Sequence, residues 1–181
     1  MCSSDAEKCF DTIWHKGLFC KLHGLIPDRD WVLLYRWYSN LNSVVRWKGS
    51  LGKNFDVTKG TRQGSILSPS LFNIFINELI VQLDSSEDKA SIGAFPVNSF
   101  AYADDVSLVC PTVSGLQRLI DICNNYASKW RFRFGIKKTK CMISGKNVFT
   151  CEPSWYLNGE PIENVSSLEI LGVMFDQSGG H

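Results

Sequence analysis

No stretch of this 181-residue chain holds the roughly 18 consecutive apolar residues that a membrane-spanning helix needs. The opening MCSSDAEKCF places Asp5, Glu7 and Lys8 where a secretory signal has a basic stub and an apolar run. Neither export nor membrane insertion is therefore expected, and an intracellular protein fits best. There is no internal repeat and no Pro/Gly/Ser-rich linker, and the length matches the roughly 100–200 residues of one domain. The seven cysteines, at 2, 9, 20, 110, 123, 141 and 151, are odd in number and lack C-x-x-C spacing. That argues against a disulfide framework or a zinc site and for reduced, mostly structural thiols. Charge of one sign is missing too: 19 Lys+Arg against 18 Asp+Glu leave a net charge of +1. This falls short of the strong basicity of a dedicated nucleic-acid binder. It does not exclude nucleic acid, because a site that collects acids for metal ions offsets a basic groove.

What is present is a core. Hydrophobic residues make up 44% and charged residues 20%, which rules out a disordered or low-complexity chain. Apolar spacing predicts helices over 11–24, stopped at Gly24, and over 28–40, opened by Pro27 and Asp28. A third runs over 68–83, with Ser68 as cap and Pro69 in its first turn, and is apolar enough around its circumference to be buried. A fourth runs over 114–130, with Ser114–Gln117 as a capping box. The first four residues are too few to make much of an element. Strands are predicted over 43–48 and 54–58, over 99–103 and 106–110 joined at Asp104–Asp105, and over 140–144. Asn158–Gly159 marks a hairpin between Trp155–Leu157 and Pro161–Ile162, and 168–175 reads as a last strand. Helices mixed with antiparallel hairpins make the class α+β.

Asp104 and Asp105 are the most informative residues. Aspartate favours turns, so a plain hairpin tip is one reading. The apolar flanks Phe100-Ala-Tyr102 and Val106-Ser-Leu-Val109 weaken it. Two adjacent carboxylates at the tip of a buried hairpin repel one another and call for a compensating positive charge. A magnesium ion suits them, because it takes hard oxygen ligands and keeps several for water and phosphate. A second acidic cluster, Asp5 to Asp11, reads either as a helix turn favoured by its dipole or as part of such a site. The glycine-bracketed loop Gly60-Thr-Arg-Gln-Gly-Ser65 before a buried helix is, alone, a weak anion-site signal.

Taken together and in order, D-A-E-K-C-F-D (5–11), K-G-T-R-Q-G-S-I-L-S-P-S-L-F-N-I-F-I-N-E-L (59–79), F-A-Y-A-D-D-V-S-L-V (100–109), K-K-T-K (137–140) and L-E-I-L-G-V-M-F (168–175) resemble the palm motifs of the reverse transcriptases of non-LTR, LINE-like retrotransposons. The resemblance covers nearly the whole chain, from the first catalytic Asp to the primer grip. It implies a polymerase palm-type antiparallel sheet backed by helices 66–83 and 114–130, and RNA-directed DNA synthesis on an RNA template and DNA primer from deoxynucleoside triphosphates. Two magnesium ions, or manganese in their place, would be held by Asp5 and Asp104, with Asp105 beside them. Phe10 would stand against the nucleotide sugar and exclude a ribose 2′-hydroxyl. Arg62, Gln63 and Gly64 would lie under the templating base pair. Lys138 resembles the lysine that gives a proton to pyrophosphate, or is a plain surface lysine. Leu171 and Gly172 would place the primer strand. The family's integration step implies a nuclear location, although no targeting signal is visible here.

Some positions depart from the family pattern. Cys9 stands for Ala, Gly135 for Asn and Ile170 for Tyr, and Ser3 and Ser4 replace apolar residues. The three carboxylates are intact. The fingers and thumb that clamp template and primer in relatives are not encoded in these 181 residues, nor are the endonuclease and RNA-binding parts, so the isolated chain is not expected to polymerise. Two alternatives stay open: an inactive fragment of the same fold, and a nucleic-acid-binding module without catalysis.

Overall fold

The computed structural model describes residues 1–62, 64–145 and 153–178. The opening residues, too short on sequence grounds to form an element, make the middle strand of a five-stranded sheet. Cys2–Asp5 pairs antiparallel with Asp105–Leu108 on one side and Lys140–Cys141 on the other. Ser99–Tyr102 and Glu163–Asn164 form the two edges, the latter parallel to Lys140–Cys141. Four residues have little intrinsic preference, so the ladders on both sides decide. The burial pattern shows the pleat: Cys2, Ser4 and Ala6 are buried, while Ser3 and Asp5 are half-buried on the opposite face. The buried Ser4 hydroxyl lies 2.9 Å from Thr139 Oγ1, which donates to the Gly135 carbonyl at 2.9 Å.

The chain divides into two compact units, Met1–Glu7 with Asn77–His181, and Lys8–Ile76. In the first unit the Val113–Trp130 helix packs on the Asp105–Leu108 strand and on the Tyr156–Leu157 hairpin. Of the apolar stripe the sequence offers at helical spacing, Leu116, Leu119, Ile120, Cys123, Tyr126 and Ala127 are buried, and Trp130 at its end is half-buried. Its cap is not the predicted Ser114 box: Thr112 accepts from the Gly115 amide at 3.1 Å, because the helix begins one residue earlier. The Asn158–Gly159 hairpin forms as predicted, both residues at positive φ. The predicted single strand over 168–175 is instead a hairpin, Ser167–Ile170 against Val173–Asp176. Leu171 and Gly172 turn the chain with φ of 51° and 79°, the backbone of a tight two-residue turn. Among the described residues no cysteine forms a disulfide, and burial pushes the Cys123 thiol up to about 12, which leaves it unreactive. Cys151 lies outside the described residues.

In the second unit the predicted 11–24 helix is broken into Cys9–Thr12 and His15–Leu22. Trp14 is drawn into a bridge with Lys59, and Ile13 accepts from the Gly60 amide at 2.8 Å, so backbone pairing overrides helical periodicity. Asp28–Ser39 follows as predicted and packs on the preceding helix, with Trp31, Tyr35 and Tyr38 edge-on to Phe19. The predicted 43–48 and 54–58 strands appear as two short ladders, Asn42–Ser43 with Phe55–Asp56 and Arg46–Trp47 with Ser50–Leu51. The long helix Ser68–Asp84 buries Leu71, Phe72, Phe75, Ile76, Leu79 and Leu83 along one side, while Val81 is 55% exposed, so it is not buried around its circumference as expected. Ser68 is its first residue and not its cap. Its hydroxyl donates to the Arg62 carbonyl at 2.6 Å. Among the described residues no helix is long and apolar enough to cross a membrane.

Candidate active site

The carboxylates come together in the first unit. The predicted hairpin tip at Asp104–Asp105 lies one residue earlier, at Ala103–Asp104, because Tyr102 and Asp105 are paired. Ala103 takes a φ of 50°, a strained value for a residue with a Cβ. The shift has a consequence. Asp105 becomes a strand residue and falls directly opposite Asp5, so Tyr102, Asp105 and Asp5 form one row across three strands. Asp104 stays in the turn, where its carbonyl accepts from the Ala6 amide at 3.0 Å. The Asp5 carbonyl accepts from the Gly135 amide and the Glu7 amide donates to the Arg133 carbonyl, both at 2.9 Å. Backbone bonds thus fix Asp5 between the Asp104 turn and the 133–139 segment.

Like charges directly opposite in a ladder repel. Burial holds the Asp105 carboxyl above its usual range, and the charges of Asp104 and Asp5 push it the same way. Lys138 pulls the other way. Although 133 residues from Asp5 in sequence, its Nζ donates to both Asp5 carboxylate oxygens, at 3.1 and 3.0 Å. That bond and the charge of Asp5 hold the ammonium above its ordinary range. Asp5 is 19% exposed and Lys138 65%, so the contact sits at the rim of the site. Lys138 thus pairs with Asp5 from an exposed position.

These residues fit a hard divalent cation. The donors are carboxylate oxygens, and burial together with the charges of Asp104 and Asp5 holds Asp105 above its usual range. Among the described residues no group of three or more His, Cys, Asp or Glu makes a metal cage by itself. Magnesium does not need one, since one or two carboxylates with waters and substrate phosphates satisfy it.

The second unit holds Phe10, Arg62 and Gly64; Gln63 lies outside the described residues. The Phe10 ring sits 5.1 Å from the Phe72 ring and lines a cleft of about 450 Å³ with Thr61, Gly64, Ser65, Ile66 and Pro69. The loop is pinned at its base. The Thr61 amide donates to the Phe10 carbonyl at 2.6 Å, and the His15 ring meets the Gly60 carbonyl through Nε2 at 2.6 Å. Burial holds the His15 pKa below its ordinary value, with the Gly60 carbonyl opposing. Gly60 has a φ of 85°, and a Cβ there would lie 2.9 Å from the Asp11 carbonyl oxygen, so only glycine fits. The Arg62 guanidinium stacks on Trp37 at 4.9 Å. That partner was not visible in the sequence, where Trp37 reads as one more aromatic of an amphipathic helix. The backbone braces at Gly135 and Arg133 were equally invisible, since amides carry no residue signature. Leu171 and Gly172 stand exposed at the tip of their hairpin in the first unit.

A family profile described as reverse transcriptase (RNA-dependent DNA polymerase) matches residues 1–175. The chain is 25% identical over 179 residues to the RNA-directed DNA polymerase from mobile element jockey of Drosophila melanogaster, covering 96% of this chain and 19% of that protein. It is 28% identical over 194 residues to a retrovirus-related Pol polyprotein from type-1 retrotransposable element R2 of Popillia japonica, covering 98% and 31%. To the probable RNA-directed DNA polymerase from transposon X-element of Drosophila melanogaster it is 25% identical over 183 residues, covering 96% and 19%. The chain spans about a fifth to a third of the length of these curated relatives.

Proposed function

Because the chain belongs to the reverse transcriptase (RNA-dependent DNA polymerase) family, we propose that it is the palm of a non-LTR retrotransposon polymerase that copies RNA into DNA by nucleotidyl transfer. The observation that carries this reading is the facing of Asp5 and Asp105 across one ladder, with Asp104 in the adjoining turn. The five-stranded sheet with the Val113–Trp130 helix packed on its Asp105–Leu108 strand supports the palm-type reading of residues 1–181.

Asp5, Asp104 and Asp105 would hold two magnesium ions, or manganese. When bound, such ions offset charge on phosphoryl oxygens and ease ionisation of a primer 3′-hydroxyl. The chain's own part is positioning. The backbone bonds around Asp5 hold its carboxylate at a fixed place on the sheet. Lys138, already protonated and poised at Asp5, would serve as the acid that protonates the leaving pyrophosphate. Phe10, packed against Phe72 and lining its cleft, would wall off a ribose 2′-hydroxyl. Arg62, Gln63 and Gly64 would support the templating base pair, and Leu171–Gly172 the primer. Template RNA, primer DNA, deoxynucleoside triphosphates and the remaining domains of a full element would be the partners, with integration placing them in the nucleus.

The test grafts residues 1–175 into a complete jockey-type polymerase and measures primer extension on RNA with magnesium. Extension is expected, and Asp104→Asn should lower it on the order of 100-fold or more, the loss that follows removal of one transition-state charge stabiliser. A folded graft that holds template and primer yet does not extend would overturn the catalytic reading in favour of a binding module.

A further inference from the structure

Residues 42–56 form a hairpin arm with neither face covered. Every residue from Asn42 to Asp56 is exposed, and Trp47 reaches 72% and Leu51 68%. Lys48 and Gly49 make the tip with φ of 46° and 84°, the mirror-image turn that suits strand twist. Between the two ladders Val44 and Val45 face three residues, Gly52–Asn54, and the Gly52 amide donates to the Val45 carbonyl at 2.8 Å. This extra residue is a bulge that increases the twist. A lone two-stranded hairpin is marginal in water, so an arm with both faces bare is a surface awaiting a partner.

Its charge says which partner. Arg46, Lys48 and Lys53 stand against the single acid Asp56, whereas the whole chain is balanced to +1. Among the described residues none of the three cations has an ion-pair partner. Two of them flank Trp47 in sequence. Unpaired cations on the same exposed arm as an aromatic ring are the chemistry of single-stranded nucleic-acid binding, in which phosphates meet the cations and a base stacks on the ring. A second copy of the chain would set these cations against their likes. We propose that the 42–56 hairpin docks single-stranded nucleic acid, with Trp47 stacking on a base and Arg46, Lys48 and Lys53 neutralising phosphates. The inference rests on the polymerase reading only for the supply of such a strand.

The test is fluorescence anisotropy of a short labelled oligouridine with the full chain, in chelator so that the carboxylates are not loaded. Trp47→Ala should weaken binding by between about 5- and 100-fold, the loss of one stacked base. Arg46→Gln, Lys48→Gln and Lys53→Gln together should reduce the slope of log affinity against log salt by about 2, at about 0.7 per single-strand phosphate. Lys16→Gln, which removes a cation elsewhere, should change affinity less than twofold. All positions are exposed, and unchanged melting temperatures show that the variants fold. Wild-type binding that both hairpin variants match overturns the proposal, as does a wild-type chain that fails to bind at low salt. Stronger binding to phosphatidylserine-containing vesicles than to RNA, lost in the same variants, overturns it in favour of a membrane surface. Failure of the catalytic reading shows separately, as a graft that binds template without extending it.

Discussion

Asp105→Asn removes one of two charges that the ladder holds opposite each other. Facing side chains in such a pair have Cβ atoms about 4.5–5.5 Å apart. Two full charges about 5 Å apart repel by roughly 3 kcal/mol at an effective dielectric of about 20. Partial exposure and the grip of Lys138 on Asp5 reduce this toward the ~1 kcal/mol ceiling typical of facing side-chain pairs. Among the described residues the Asp105 carboxylate has no hydrogen bond to lose. The variant should therefore gain about 1 kcal/mol in chelator, or about 2–4 °C in melting temperature for a chain of this size. The sign of the pH dependence follows from the raised pKa. The folded state tolerates protonated Asp105 better than the ionised form, so this residue's favourable contribution is complete below its unfolded pKa of about 3.9 and is lost as pH rises through the higher folded value. The gain from Asn should thus be full at neutral pH and vanish near pH 3. Lys138→Met removes the balancing cation, so the gain from Asp105→Asn should be larger in that background. Magnesium should close the gap by stabilising the wild type more. Differential scanning fluorimetry across pH, with and without magnesium, reads all of this. A lower melting temperature for Asp105→Asn in chelator at neutral pH would refute the repulsion and make the carboxylate a structural part of the ladder.

Gly60→Ala should cost about 2 kcal/mol or more, since it combines a left-handed backbone with a 2.9 Å approach to the Asp11 carbonyl; a melting temperature lowered by less than about 2 °C would contradict the geometry. The lowered His15 pKa means that this ring supports the fold above its unfolded pKa of about 6.5 and loses that support as pH falls through the folded value, so His15→Gln should flatten the decline in melting temperature between pH 7 and pH 5. In the graft, Phe10→Val should admit ribonucleotides while deoxynucleotide use survives, and unchanged sugar discrimination would make Phe10 a packing residue on Phe72 only.

The order of chemistry-bearing segments was legible because each carries it in side-chain type: the paired aspartates, the glycine-bracketed loop, the lysines at 137–140. Long amphipathic helices were legible for the same reason, since 28–39 and 113–130 repeat their apolar residues at helical period over three turns or more. What was not legible depended on distant backbone. Cys2–Asp5 is a strand only because Asp105–Leu108 and Lys140–Cys141 flank it. The 11–24 periodicity failed where Trp14 found Lys59. The apolar run 168–175 hid a turn because Leu171 ahead of Gly172 is no usual turn residue. At the aspartates the error was one position, yet it decided whether Asp105 sits at a tip or faces Asp5.

The middle place of the Cys2–Asp5 strand has a kinetic consequence. Its two neighbours lie about 100 and 140 positions downstream, so closing its ladders carries the loop entropy of long-range pairing. At ~5–20 residues per second of synthesis, residues 105–108 follow by roughly 5–20 s and residues 140–141 later still. The Lys8–Ile76 unit, by contrast, is one continuous stretch and can condense as it emerges. Asp5 therefore waits, tethered to an already folding insert, for partners the ribosome has yet to deliver. Its ion pair with Lys138 can form only after the 105–108 strand has been made, and nascent chains halted before residue 105 should carry a folded insert and an unpaired first strand.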